Sequence, residues 1–115
     1  MVRGSRGCGS VANLREVAAL CRAVGIPVVL DIARFAETAW FVKQREDEFE
    51  DSAIDEIVLE MMACGDLVVA SSKNDGLASI GGFCAFREDG DLYRRAQQRC
   101  LLTEGFITYG GLAGA

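Results

Sequence analysis

Residues 67–76 read Leu67-Val68-Val69-Ala70-Ser71-Ser72-Lys73-Asn74-Asp75-Gly76, and a second apolar run, Phe83-Cys84-Ala85-Phe86, follows close behind. Each run is short, apolar and bounded by turn residues, the pattern of a buried strand. Between them a polar turn carries two hydroxyls, an amine and a carboxylate out of the end of a strand. The glycines of Ile80-Gly81-Gly82-Phe83 would let backbone approach a ligand closely. In open α/β sheets, ligands bind at the carboxyl ends of the strands. The turn is too long for a tight hairpin, so it reads as a hairpin whose loop has a job.

Upstream, Ile26-Pro27-Val28-Val29-Leu30 is a third apolar run, ending at Asp31. Its proline stands at the start, where a strand tolerates it. An all-apolar strand predicts burial on both faces, as in a parallel sheet covered by helices. Helical spacing fills the intervals. Leu14, Val17, Ala18, Cys21 and Val24 mark a helix from Val11 to Val24, capped by Ser10 or Asn13 and stopped by Gly25. Ala33 to about Glu48 is a second. Ser52 opens a third, in which Ile54, Ile57, Val58, Met61 and Met62 form one stripe before Gly65. Asp89 or Asp91 starts a fourth that runs through Leu101 to a stop at Gly105, and Thr108–Gly114 begins something new. Strands separated by helices imply a parallel, right-handed βαβ unit in a three-layer α/β fold.

The 115 residues predict one domain, with residues 1–9 as a loose leader and 10–115 as the fold. Half the residues are hydrophobic, which argues against disorder. A formal net charge of −5 argues against a phosphate-backbone binder, so no nucleic acid partner is expected. No apolar run is long enough to span a membrane, and no signal peptide is visible. The five cysteines, Cys8, Cys21, Cys64, Cys84 and Cys100, are widely spaced. That pattern fits reduced, mostly buried thiols in a cytoplasmic protein better than disulfides or zinc. The chain has no histidine, which removes histidine triads, histidine zinc sites and histidine general-base chemistry.

Three groups therefore converge on strand ends. Asp31 and Arg34 follow the first strand, Ser71, Ser72 and Lys73 follow the second, and Gly81-Gly82 precedes the third. An acid, an arginine, a hydroxyl pair and a lysine are the groups a pyridoxal phosphate site uses. The acid pairs with the pyridinium nitrogen, hydroxyls and backbone N–H groups hold the phosphate, and a lysine forms the Schiff base.

A family resemblance runs from Ser10 to Gly114. It is carried by Asn13-Leu14-Arg15-Glu16-Val17, Gly25-Ile26-Pro27-Val28, Asp31-Ile32-Ala33-Arg34-Phe35-Ala36-Glu37, residues 52–61, 71–82 and Glu104-Gly105-Phe106, and by Tyr109-Gly110-Gly111-Leu112-Ala113-Gly114. These occur in the same order in the aromatic amino acid β-eliminating lyases, tryptophanase and tyrosine phenol-lyase, and the chain resembles the central part of their large domain. The resemblance implies a fold-type I, aminotransferase-like domain, pyridoxal 5′-phosphate, a monovalent cation such as K⁺ and a homo-oligomer. The implied reaction is carbon–carbon lyase chemistry, the α,β-elimination of an aromatic amino acid to pyruvate, ammonia and indole or phenol.

Residue by residue, the resemblance matches Asp31 to the aspartate on the pyridine nitrogen and Arg34 to the arginine near the ring's phenolic oxygen. It matches Ser71 to a serine on the phosphate, and Ser79 to a backbone carbonyl on the cation. The family motif here is Ser-x-Lys-Lys-Asp, and its second lysine forms the Schiff base. Lys73 matches the first lysine and Asn74 stands at the second. An amide forms no Schiff base and has no basic form at neutral pH. The resemblance thus implies an inactive fragment, with Lys73 as the weak substitute for the missing amine. The competing expectation is a non-catalytic interaction module, or relic, that docks on a full-length lyase or on itself through exposed apolar faces.

Overall fold

Apolar stripes at helical spacing cannot be buried by one helix alone, and the chain answers by packing three helices together beside a small sheet. The structure, a computed structural model, describes residues 9–105. Elements follow in the order α1 (Val11–Ala23), β1 (Val29–Asp31), α2 (Phe35–Arg45), a single 3₁₀ turn (Asp47–Phe49), α3 (Ile54–Ala63), β2 (Leu67–Ser71), β3 (Gly82–Phe86) and α4 (Asp91–Glu104). The strands lie in the order β1-β2-β3. The β1–β2 pair is parallel, with Val29 opposite Leu67 and Asp31 opposite Val69. The β2–β3 pair is antiparallel, with Leu67 opposite Phe86 and Ser71 opposite Gly82. The expected parallel βαβ unit is present, and the long turn is a hairpin loop.

Side chains alternate across a strand, so this register sorts the sheet into two faces. Leu30, Val68, Ala70 and Phe83 share the inner face. Val29, Asp31, Leu67, Val69, Ser71 and Phe86 share the outer one. The helices cover the inner face. Val11, Ala39, Val42, Phe49, Ile57 and Met61 form the main cluster, with Leu14, Ile54 and Val58 packed against it. Ala18, Val28 and Cys64 form a second cluster, which Leu30 joins from the sheet. Ile57 has no exposed surface.

The outer face is open by comparison. Val29 is 52% exposed, and α4 meets this face where the Tyr93 ring stands edge-on to Phe86, centroids 5.4 Å apart. The expected burial of β1 on both faces therefore fails. Ile26 and Val29 are exposed, and pairing begins only at Val29. A continuous apolar run identified the strand and could not say whether both sides would be covered. The three-layer reading is met on one side and only begun on the other.

Helix boundaries shift for identifiable reasons. At the end of α1, Gly25 takes φ +70°, donating to Arg22 O at 3.2 Å while Ile26 N donates to Cys21 O at 2.9 Å. This is the paired C-terminal closure that glycine permits. Ser10 is the N-cap, its Oγ accepting from Asn13 N at 3.3 Å. The α2 helix is shorter at both ends than its apolar pattern predicts. Ala33 N is held by Asp31 Oδ1 at 3.0 Å. Glu46 leaves the helix and accepts from Val11 N at 2.8 Å, capping α1 instead. The α3 helix opens at Ile54, two residues past Ser52, with Glu56 accepting from Ala53 N at 2.9 Å. The α4 helix begins at Asp91 behind Gly90 and reaches Glu104, beyond the expected Leu101. Gly105 stops it at φ +85°.

Of the described cysteines, only Cys64 is buried; Cys21 is half-buried, and Cys84 and Cys100 are exposed. The expectation of mostly buried thiols is corrected, because β3 and α4 lack a covering layer among the described residues. Cys8, Thr108–Gly114 and all but the last residue of the expected leader lie outside the described residues. Among the described residues no helix is long and apolar enough to cross a membrane.

Candidate functional site

Parallel pairing places the carboxyl ends of β1 and β2 on the same edge of the sheet. Asp31 is the last residue of β1 and Ser71 the last of β2. Asp31 pairs with Val69, and Ser71 is two residues further on, so both side chains leave the outer face. The tertiary structure thus brings the acid and the hydroxyl to one edge.

Asp31 is exposed. One carboxylate oxygen accepts from Ala33 N, and the other takes no hydrogen bond from the described residues. Arg34 follows at the start of α2, where its Nη1 lies 3.2 Å from Glu37 Oε2 in an exposed pair. Such a surface pair contributes little to stability. Arg34 therefore stands near Asp31 in sequence, with Glu37 as its partner.

The loop after Ser71 is wound tightly on itself. Ser72 N donates to Gly81 O at 3.0 Å, Ala78 N to Ser72 O at 3.0 Å and Leu77 N to Asn74 O at 3.1 Å. A Cβ on Gly76 would meet Ser72 O at 2.7 Å, so the turn has room only for hydrogen there. Leu77 accepts a left-handed φ of +55° while 92% exposed, a conformation that costs on the order of 1 kcal/mol or more. Within this loop, adjacent residues have different surroundings. Lys73 is exposed and without an ion pair among the described residues, whereas Asn74 is half-buried. Ser79 is exposed further along the same loop.

Asp75 ties the loop to the rest of the edge, a part that reading the motif left unassigned. Its Oδ2 accepts from Ala36 N at 2.8 Å and from Glu37 N at 3.1 Å, and its own N donates to Ala33 O at 3.3 Å. The residue at the N-cap position of α2 is Arg34, whose side chain makes no capping bond. A guanidinium has only donors. Asp75 supplies the missing acceptor from far along the chain, and such a cap is worth about 1 kcal/mol, reinforced by the positive end of the helix dipole. An arginine where an acceptor belongs, with an unassigned acid in the facing loop, is the signal that could have found it.

Two other nodes hold the scaffold behind the site. Asp66 Oδ2 accepts from Val28 N at 2.8 Å, anchoring the approach to β1. Arg87, just past β3, donates to Gly65 O and to Ala63 O, where α3 ends. On the far side, Arg15 is bound by Glu48 at 2.9 Å and Glu60 at 3.1 Å. Those hydrogen bonds, Glu48's first, hold its guanidinium above its ordinary pKa. Burial likewise pushes the Cys64 thiol up. The described residues hold no cluster of three or more acidic, cysteine or histidine metal ligands. One surface hollow along α4 and another beside Ser10 and Phe41 are lined by no residue of this edge.

A family model for the beta-eliminating lyases matches residues 7–115. The chain belongs to the beta-eliminating lyase family. It is 50% identical over 105 residues to a tryptophanase of Salinibacter ruber, covering 91% of this chain and 22% of that protein. It is 48% identical over 105 residues to a tyrosine phenol-lyase of Pasteurella multocida, covering 91% and 23%. A probable beta-eliminating lyase of Trichomonas vaginalis matches at 48% over the same length, again 91% and 23%. The chain thus spans under a quarter of the length of these curated relatives.

Proposed function

We propose that residues 31–82 form part of the pyridoxal phosphate pocket of a fold-type I β-eliminating lyase acting on an aromatic amino acid, with an amide where the covalent anchor belongs. The observation that carries this reading is the placement of Asp31 and Ser71 on one face at the carboxyl edge, beside the Lys73–Asn74 turn. The donor set fits the cofactor only in part. The carboxylate of Asp31, with one oxygen unclaimed, suits a protonated ring nitrogen. The Ser71 hydroxyl suits a phosphate, and Arg34 suits the phenolic oxygen. Asn74 does not fit: an amide nitrogen is neither a nucleophile toward a carbonyl nor a base near pH 7.

No catalytic step is therefore assigned through the cofactor in this chain. Lys73 remains the weak substitute, and its exposure beside the half-buried Asn74 weighs against it. The K⁺ at the Ser79 carbonyl rests on the family resemblance alone.

The test is to mix the protein with pyridoxal phosphate, record the visible spectrum, reduce with borohydride and map any label. The expected result is no covalent label in the unaltered chain and a label at position 74 in Asn74→Lys. A label on Lys73 in the unaltered chain overturns the reading, and so does an unlabelled Asn74→Lys variant.

A second reading is favoured by the uncovered surface. Val29, Phe83 and Leu102 are 52%, 52% and 80% exposed. Apolar faces of this kind promote association, with a second copy or with a full-length lyase. Size-exclusion chromatography decides it, because a clean monomer that captures no added lyase removes this reading.

A further inference from the structure

The loop of residues 72–81 is stitched internally and to its own strands, and among the described residues its hydrogen bonds to α2 all come from Asp75. The two regions it joins are those that carry the candidate site. On one side stand Asp31 and Arg34, on the other Ser71, Lys73 and Asn74. The contact is three-pointed, with two N–H groups of α2 on one carboxylate oxygen and the Asp75 amide on the Ala33 carbonyl. The loop, closed at its base by Ser72 N on Gly81 O, is thereby fixed at a further position. The span between the acid and the anchoring position is set across space, because more than forty residues of chain separate Asp31 from Asn74.

We propose that Asp75 is a positioning residue: by clamping the loop onto the first turn of α2, it sets where Ser71 and Asn74 stand relative to Asp31 and Arg34. The pocket part of this inference rests on the cofactor reading above, whereas the clamp itself does not. The hydrogen bonds of Asp75 to the far segment all go to backbone groups, Ala36 N, Glu37 N and Ala33 O, so its action runs through the backbone of two segments. Loss of the clamp frees the loop while β2 and β3 remain paired, because their ladder does not involve Asp75.

Trypsin provides a readout independent of any cofactor, since Lys73 lies inside the clamped loop. Asp75→Ala is expected to speed cleavage after Lys73 roughly fivefold and to raise amide exchange at Ala36 and Glu37 similarly, the scale of one lost cap. Asp75→Asn keeps a side-chain acceptor and is expected to fall between, which also serves if the alanine variant does not fold. A helix cap alone and a loop clamp are separated by Arg34→Ser added to Asp75→Ala, which gives α2 a local cap. Restored exchange protection at Ala36 and Glu37 with cleavage still fast supports the clamp. Restored protection with cleavage also slowed to the original rate overturns it, as does unchanged cleavage in Asp75→Ala.

In Asn74→Lys, adding Asp75→Ala is expected to weaken pyridoxal phosphate binding about fivefold, the same scale as the freed loop. Unweakened binding overturns the positioning role. If Asn74→Lys itself binds nothing, the cofactor reading fails while the cleavage result still decides the clamp.

Discussion

Ile57 on α3 and Phe83 on β3 are both large apolar residues on ordered elements, yet the first has no exposed surface and the second is 52% exposed. The difference extends to their surroundings. Around Ile57, three helices and the 3₁₀ turn close a common core, and their ends are capped by Ser10, Glu46 and Glu56. Around Phe83, the strand has a partner on one side only among the described residues, and the inner-face cover of helices stops short of it. Identical chemistry thus has opposite energetic meaning. Apolar area removed from water is the main source of stability, and apolar area left in water is a surface awaiting a partner. The candidate site lies along the seam between these regions. Asp31 and Ser71 both leave the open outer face, on strands whose inner face meets the helices.

The sharpest way to break the comparison is to cut into each side. Ile57→Ala is expected to destabilise the fold by about 2–5 kcal/mol, because the cavity opens in packed surroundings. Urea unfolding followed by circular dichroism measures it, and a cost below 1 kcal/mol would remove the claim that this side is the core. Gly82→Ala comes next. Its new methyl would run into the carbonyl of Ala70 on the paired strand. A loss of about 1–3 kcal/mol is expected from the backbone shift this forces, again read by urea unfolding. Glu46→Ala removes the acceptor for Val11 N and Ala12 N, and is expected to cost about 1 kcal/mol. A double variant with Ser10→Ala should show coupling, since both residues serve the first turn of α1.

Cys64 sharpens the contrast through chemistry. Its thiol pKa is raised by burial, so iodoacetamide at mildly alkaline pH should label Cys84 and Cys100 first. A raised folded-state pKa means the native state holds its proton longer than the unfolded chain does. The contribution is complete below the unfolded value of about 8.5 and is lost as pH rises through the folded value. Cys64→Ala should therefore flatten the alkaline fall in thermal stability. The smallest effect belongs to the unfinished side. Leu102→Lys is expected to change stability by no more than about 0.5 kcal/mol, while lowering self-association measured by sedimentation.

Much of this was legible before the structure. The helical stripe through Ile57 and Met61, the stop at Gly25 and the three apolar runs all lie in the order the spacing predicts. The candidate edge was legible too, because Asp31 and Ser71 each end a strand and the strands pair in parallel. What could not be read were interactions whose two halves lie far apart. Asp75 with Ala36 and Glu37, Glu46 with Val11, and Arg87 with Ala63 and Gly65 join residues more than twenty positions apart. No local window contains both partners.

By itself, then, the sequence determined the kinds of elements, their order and the family, because periodicity and motif are local properties of the chain. It also determined that position 74 carries an amide. Only the tertiary structure decided which helix ends are capped from elsewhere and which face of the sheet is left open. It alone showed that the Ser71–Gly76 turn is held by Asp75 against α2. Those depend on where distant backbone donors and apolar surfaces meet in space, and burial is a property of the packed whole rather than of any single run.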